Sequence, residues 1–288
     1  MAIVVETPGT EGLTEAVAAL RRWQSDDAPL QLHPGDLGWN YRFGAAATAA
    51  VVRTWTRDGR IVAVGLLDGP GLVRLTIAPD VRHDEELARQ LAEDVSTPER
   101  DVLPAGPVSV EAPDGVLLRD VLAEAGWRAD EPWTPLHRDL AEPVPEVDLR
   151  IEVTGPAEAA VWTTVLRASF DRSTATEDRW HTMAAGSPYA DARSLIGYDG
   201  EDNAVAIVTV WSAGPGRPGL IEPMGVHRDH RGHGHGRAIT VAAAAALREL
   251  GSSSAIVCTA SANAAAVATY ASAGFRPHPE RLDLRRDR

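Results

Sequence analysis

This sequence contains no lysine. All 28 of its Lys/Arg side chains are arginines, so Schiff-base chemistry on a lysine amine is excluded. Cysteine is nearly absent too. The single thiol, Cys258, excludes an internal disulfide and suits a reducing compartment. It sits in the apolar run 255–259 and reads as a small buried hydrophobe rather than a reactive thiol. Long apolar runs are missing, so no segment is expected to span a membrane. No signal-peptide pattern is read at the start of the chain either, and the expectation is a cytoplasmic protein. Positive charge is in deficit, with 28 basic residues against 41 acidic ones and a net charge of −13. That balance argues against nucleic acid or an anionic membrane as a partner.

What is present is enough for a real core. The chain has 288 residues, 44% of them hydrophobic, which suits one large domain or two of ordinary size. The charge is unevenly spread. Residues 1–148 carry 13 arginines and 26 carboxylates, whereas 149–288 carry 15 of each. The whole acidic excess therefore lies in the first half.

Periodicity and turn residues mark the elements. Strands are expected at 2–6, 51–55, 61–67, 72–77, 108–111 and 134–140, and helices at 13–23, 84–95 and 115–125. The stretch 141–148, with Pro143, Pro145 and three acids, reads as an extended, solvated linker. The second half runs in the same order. Strands fall at 149–153, 194–198, 204–211, 219–226, 255–259 and 281–284, and helices at 157–169, 237–250 and 262–273. Asp58-Gly59 and Asp199-Gly200 each sit between paired strands as hairpin turns.

The shared order suggests an internal repeat. Ile3, Val5 and Pro8 align with Ile151, Val153 and Pro156 at an offset of 148, as Gly126-Trp127 does with Gly274-Phe275. Two domains follow, 1–141 and 149–288, joined by 142–148. At offset 149, Glu85 and Leu87 fall opposite Gly234 and Gly236. A carboxylate and a branched side chain there would obstruct and repel a phosphate. The first domain is therefore expected to be a degenerate copy that does not bind the ligand of the second.

That ligand is suggested by the stretch 226–238, where an apolar strand runs into a glycine-rich turn and an alanine-rich helix. Gly232, Gly234 and Gly236 strip the turn of side chains. Backbone N–H groups can then converge on an anion at the helix start. The spacing fits neither the P-loop nor the dinucleotide fingerprint. Four histidines, 227, 230, 233 and 235, lie close by, but no cysteine or paired carboxylate completes a metal site, and none is expected.

Arg231-Gly232-His233-Gly234-His235-Gly236 resembles the acetyl-CoA loop of the GNAT family of N-acetyltransferases. Downstream, Asn263-Ala264-Ala265-Ala266-Val267-Ala268-Thr269-Tyr270-Ala271-Ser272-Ala273-Gly274-Phe275 is similar to that family's Asn-x-x-Ala-x-x-x-Tyr-x-x-x-Gly-Phe segment at full spacing. Asn263 and Tyr270 are two helical turns apart, about 10 Å. The resemblance covers roughly 149–288, with a diverged copy before it. It implies an α/β (α+β) fold of two tandem GNAT-like domains, each a mixed, mostly antiparallel twisted sheet flanked by helices.

The resemblance also implies a chemistry: direct acetyl transfer from acetyl-CoA to the primary amine of a small molecule, with no covalent enzyme intermediate. By the family pattern, the backbone of Met224, Gly225 and Val226 would hold the pantetheine arm and the thioester carbonyl. Arg231, Gly232, His233, Gly234, His235, Gly236 and Arg237 would surround the pyrophosphate, and Asn263 would hold one end of the ligand. Tyr270 would protonate the departing thiolate. Glu222 is the candidate base for the amine, with His227 as a second. Trp180, near Glu177 and Asp178, falls where the family usually builds its acceptor site. Among tandem members the layout is similar to the mycothiol synthases, which acetylate a cysteinyl amine. A non-catalytic acyl-CoA-binding sensor or scaffold is the reading from another class.

Overall fold

The computed structural model describes residues 2–287. In chain order the first half contains β1 (Val4–Glu6), α1 (Thr10–Trp23), α2 (Pro34–Asn40), a 3-10 turn (Tyr41–Phe43), α3 (Ala45–Ala50), β2 (Val52–Arg57), β3 (Arg60–Leu67), β4 (Leu72–Ile77), α4 (Glu85–Ser96), β5 (Val108–Glu111), α5 (Leu117–Glu124) and β6 (Arg128–Asp139). The second contains β7 (Arg150–Val153), α6 (Ala159–Ser169), α7 (Glu177–Ala184), β8 (Ala192–Tyr198), β9 (Ala204–Ser212), β10 (Gly219–Val226), α8 (His235–Glu249), β11 (Ser254–Ala260), α9 (Ala264–Ser272), β12 (Arg276–Pro277) and β13 (Arg281–Arg286). Each half thus follows the same path of strand, helices, three strands, helix, strand and helix, closed by one strand in the first half and by two, β12 and β13, in the second.

The compact units do not follow the boundaries expected from the sequence. One unit is 1–33, 45–133 and 280–288, and the other is 34–44 and 134–279. The changeover falls inside β6 rather than in the proline-rich stretch 142–148. That stretch is not simply solvated, because Val144 and Val147 pack on the second unit's core. Each unit also holds a segment from the other half of the sequence, α2 with its 3-10 turn in one case and β13 in the other. Linear composition carries no trace of such an exchange.

In the first unit the strands run in the order β1-β2-β3-β4-β5-β13, with the start of β6 beyond β13. Its core is built on Trp55, Leu75, Leu87, Leu91, Leu118 and Leu122. In the second unit β7, β8, β9 and β10 are antiparallel neighbours, and β10 pairs parallel with β11. Its sheet has helices on both faces. Alanines of α8 pack with Val205, Ile221, Val257 and Tyr270 on one face. On the other, Trp162, Leu166, Trp180 and Met183 from α6 and α7 pack with Ile207, Trp211 and Leu220. The parallel β10-α8-β11 crossover brings the glycine turn to the end of β10, the usual place for a ligand in such a unit.

Three helices are absent from the sequence reading: α2, α3 and α7. Segment α2, Pro-Gly-Asp-Leu-Gly-Trp-Asn, has poor helix formers. Burial holds it instead, since Pro34 to Gly38 are all buried. The start of α7 is capped by the Thr176 hydroxyl, which accepts from the Arg179 N–H.

Candidate active site

The site begins with a break in strand pairing. The parallel ladder between β10 and β11 consists of Gly219 with Ala255 and Leu220 with Ile256. Beyond Leu220, β10 keeps only its antiparallel partner β9, and there the register slips: Ile221 faces Val210, but Met224 faces Val208. One extra residue on β10 makes a bulge. Met224 and Val226 thereby return to the face of Ile221, against the α8/α9 core. Gly225 faces α6, where a Cβ would lie 2.6 Å from the Ser169 Cβ. A larger residue at 225 would push α6 off the strand.

Glu222 lies in the bulge, partly buried. Its backbone carbonyl accepts a 2.7 Å hydrogen bond from the Trp211 indole N–H. Tyr270 comes from α9 and is 7% exposed. Its phenol is pushed well above the ordinary range, first by burial and then by the neighbouring charges of Glu222 and Cys258. It therefore stays protonated at neutral pH. Cys258 is half-buried rather than buried as the sequence suggests. It belongs to the same small group of titratable side chains where β10 parts from β11.

The C-terminal motif has a structural cause. Phe275 N–H donates to the Tyr270 carbonyl at 3.1 Å, and Gly274 N–H donates to the Ala271 carbonyl at 3.0 Å. Gly274 has φ +86°. This is a Schellman closure, and it packs the Tyr270 and Phe275 rings 6.0 Å apart. The same closure ends α5, where Trp127 N–H donates to Leu122 and Gly126 N–H to Ala123. Leu122 occupies the position of Tyr270, so the first unit has no phenol there. The offset of 148 already carried that signal in the sequence.

The glycine turn uses its glycines in two ways. Gly232 and Gly234 have φ of +83° and +82°, with open space where a Cβ would be. The backbone, not crowding, demands glycine there. Gly236 is demanded by packing, because a Cβ would lie 2.9 Å from Cγ2 of Thr269 on α9. Gly234 is the N-cap of α8 and no side chain caps that helix. Its first-turn N–H groups are therefore presented to a ligand by an exposed loop.

The flanking arginines have partners within the chain. Arg231 donates to the Ser169 carbonyl at 2.8 Å and Arg228 to Ala168 at 2.9 Å, so both cap the C-terminus of α6. Arg237 donates to Ser272 at 3.0 Å, at the end of α9. They brace the loop against two helix ends, where the dipole favours a cation. Asn263 is the N-cap of α9, its Oδ1 accepting from Ala266 N–H at 3.2 Å. Part of its polarity is therefore spent on the helix. The Nδ1 of His227 accepts from Asp229 N–H, which ties this second candidate base into its own turn. The rings of His233 and His235 lie 5.9 Å apart, tilted by 32°. Burial, followed by the charge of His233, lowers the pKa of His235 and favours a neutral imidazole. Trp180 is buried, edge-on to Tyr189. No group of three or more His, Cys, Asp or Glu side chains able to hold a metal occurs among the described residues.

The first unit handles the matching helix start differently. Asp84 is the N-cap of α4, accepting from Leu87 N–H at 2.8 Å. Arg57 grips its two oxygens at 2.7 and 3.0 Å. Glu85, expected to be the obstruction, turns away to pair with Arg89 at 2.7 Å. Leu87 is core. The carboxylate over the helix start is therefore Asp84's, one residue before the expected position.

Comparison with known proteins accords with this geometry. The acetyltransferase (GNAT) family matches residues 161–275. No curated protein matches the chain. Among solved structures, a tandem GNAT protein from the clavulanic acid biosynthesis pathway is similar at 17% identity and a TM-score of 0.62, covering 99% of this chain and 98% of that one. A GNAT acetyltransferase from Colwellia psychrerythraea is similar at 17% identity and a TM-score of 0.62, covering all of both chains. A GCN5-related N-acetyltransferase from Sphaerobacter thermophilus is similar at 18% identity and a TM-score of 0.58, covering 99% of this chain and 95% of that one. Residues 161–275 are thus a GNAT acetyltransferase domain, and along its length the chain shares the fold of a tandem GNAT protein.

Proposed function

We propose that this protein is an acetyl-CoA-dependent N-acetyltransferase that moves the acetyl group directly to a primary amine of a small molecule, in the cytoplasm. One observation carries the reading: the phenol of Tyr270, buried and held protonated, feels the charge of Glu222, which lies in the bulge where β10 parts from β11, on the strand that leads into the glycine turn and α8. The residues fit the donor. The uncapped first turn of α8 and the turn at Gly232 and Gly234 suit a pyrophosphate. The β10 backbone beyond Leu220, unpaired on its β11 side, suits an extended amide-bearing arm. Acetyl-CoA supplies the activated acyl group, and the rest falls to the chain.

Glu222 takes the proton from the incoming ammonium, directly or through water, so that a lone pair is free to attack. Backbone N–H groups of β10 donate to the thioester oxygen as it gains charge. Tyr270 gives its proton to the departing thiolate. Burial beside a carboxylate keeps that proton in place at neutral pH. The first unit has a leucine in place of the phenol and Asp84 over the helix start. This supports one working donor site per chain, with the first unit a degenerate copy.

The test is thiol release from acetyl-CoA with a panel of amines: amino sugars, an aminoglycoside, polyamines, amino acids and a cysteinyl amine. At least one should accelerate release. Tyr270→Phe should lower kcat by roughly a hundredfold with little change in the KM for acetyl-CoA. CoA binding with no acceleration by any amine would overturn the enzyme reading in favour of an acyl-CoA sensor.

A further inference from the structure

We propose that the N-terminal half of the sequence supplies a working part of this active site: α2 holds Trp211, and Trp211 holds the bulge that carries Glu222. The inference rests on the transferase reading above and assigns roles to residues outside the acetyl-CoA motifs.

The segment 34–44 belongs to the second unit, and two glycines lock it there in opposite senses. At Gly38, on α2, an added Cβ would lie 2.4 Å from Cζ3 and 2.6 Å from Cε3 of Trp211. At Gly186, just past α7, an added Cβ would lie 2.5 Å from Cδ1 of Tyr41. Neither glycine has positive φ, so each is there for the ring it admits. Tyr41 is 5% exposed and Trp211 1%. The Trp211 ring is backed by Tyr189, edge-on at 5.9 Å. With α2 against its six-membered ring and Tyr189 beside it, the indole is held with its N–H directed at the Glu222 carbonyl, 2.7 Å away.

That hydrogen bond falls at the bulge, where β10 has left β11 and its register against β9 has slipped. A peptide there has lost the ladder that fixes its neighbours. Pinning its carbonyl sets the plane of the Glu222 peptide. It thereby sets where the carboxylate points and where the following N–H groups of Met224 and Gly225 face. Trp211 is accordingly a positioning residue, and Gly38 is the feature of α2 that lets the ring take its place. A misplacement of about 1 Å in such a group can cost about a hundredfold in rate.

The experiment uses full-length Gly38→Ala, Trp211→Phe and the double variant. The probes are acetyl-CoA with glucosamine and spermidine as acceptors, and CoA alone in calorimetry. Phenylalanine removes both the indole N–H and the ring atoms that a methyl at 38 would meet. Each single variant should lower kcat roughly tenfold to a hundredfold, with the KM for acetyl-CoA and the CoA affinity held within about twofold. Trp211→Phe should also move the acidic limb of the pH–rate profile. The double variant should be no slower than Trp211→Phe, because both changes act through one contact. Multiplying losses in the double variant, an unmoved kcat, or a loss of CoA affinity as large as the loss of kcat would overturn the proposal. If the wild-type protein turns over neither amine, hydrogen exchange decides alone. Amides of 222–226 should exchange faster in both single variants while those of α8 do not, and unchanged exchange at 222–226 overturns the inference. Silence with the whole wider amine panel would count instead against the transferase reading.

Discussion

Arg57 grips Asp84 with two nitrogens, at 2.7 and 3.0 Å, at the start of α4. The same carboxylate caps Leu87 N–H. The first unit thus meets the positive end of its own helix with its own anion, where the second unit leaves the matching helix uncapped. The hydrogen bonds from Arg57, then that from Leu87 N–H, hold the Asp84 carboxyl down at about 2, from 3.8. A depressed folded pKa means that the unfolded chain takes up the proton first as pH falls. The stabilisation is complete above 3.8 and lost between that value and about 2. The pair is partly solvated, so it contributes on the order of 1–2 kcal/mol rather than the full shift. Asp84→Asn should lower stability by about that amount at neutral pH. In denaturant titrations it should also show a shallower loss between pH 4 and 2 than wild type, with CoA affinity unchanged. An equal acid slope in both proteins would rule out this linkage.

Gly234→Glu places a carboxylate at the N-cap of α8, as Asp84 does at the N-cap of α4. It puts a Cβ on a backbone with φ +82° and a negative charge at the N-cap of α8. CoA affinity, read by calorimetry, should fall by about a hundredfold or more. Unchanged affinity would remove the pyrophosphate from this turn.

Gly236→Ala should fail for a different reason. Its methyl meets Cγ2 of Thr269 at 2.9 Å, and the backbone there is ordinary helix. The damage should be to α8–α9 packing, about 1–3 kcal/mol in unfolding, and Thr269→Ser, which deletes that Cγ2, should recover most of it. Gly234→Glu should not respond to Thr269→Ser. If both variants respond alike, the division of labour among the turn glycines is wrong.

The two motifs were legible in the sequence because each is local. A glycine needed for positive φ, or a Gly-Phe pair closing a helix, leaves its mark within a few residues. The order of strands and helices was legible for the same reason. What could not be read depends on contacts distant in sequence. Arg231 and Arg237 stand beside a phosphate loop and invite a phosphate role, yet their partners are the carbonyls of Ser169 and Ser272. Residue-by-residue alignment sets Glu85 opposite Gly234 and so misses Asp84, because a cap is defined by where the helix starts. Segment α2 lacks helix formers and lies about 170 residues from Trp211, so only the fold pairs them.

The arginine braces make a prediction that separates them from ligand contacts. Arg231→Met removes the donor to the Ser169 carbonyl and leaves the end of α6 short of a partner. A lost charged hydrogen bond at a partly buried site costs about 1–2 kcal/mol. Unfolding measurements should show that loss, while CoA affinity changes by less than about threefold. A phosphate contact would give the opposite pattern, a large affinity loss that shrinks at high salt with stability little altered.

The closure of α9 gives the last test. Gly274 has φ +86°, and a Cβ there would only reach ordinary contact with the Arg138 guanidinium, at 3.5 Å. Gly274→Ala is therefore a backbone perturbation, costing about 1–2 kcal/mol from the left-handed conformation. If alanine pulls the chain out of that conformation, the Phe275 N–H loses the Tyr270 carbonyl and the two rings separate. Tyr270 would then keep its place in sequence but lose the anchor that orients its ring. The expected outcome is a fall in kcat larger than the fall in stability implies, with CoA affinity retained, since the glycine turn lies on α8. Gly126→Ala is the internal control. It breaks the same closure on α5, where Leu122 stands in place of the phenol, and should cost similar stability with no selective loss of kcat. Equal kinetic effects at the two glycines would show that the closure serves folding alone, and that Tyr270 is oriented by something else.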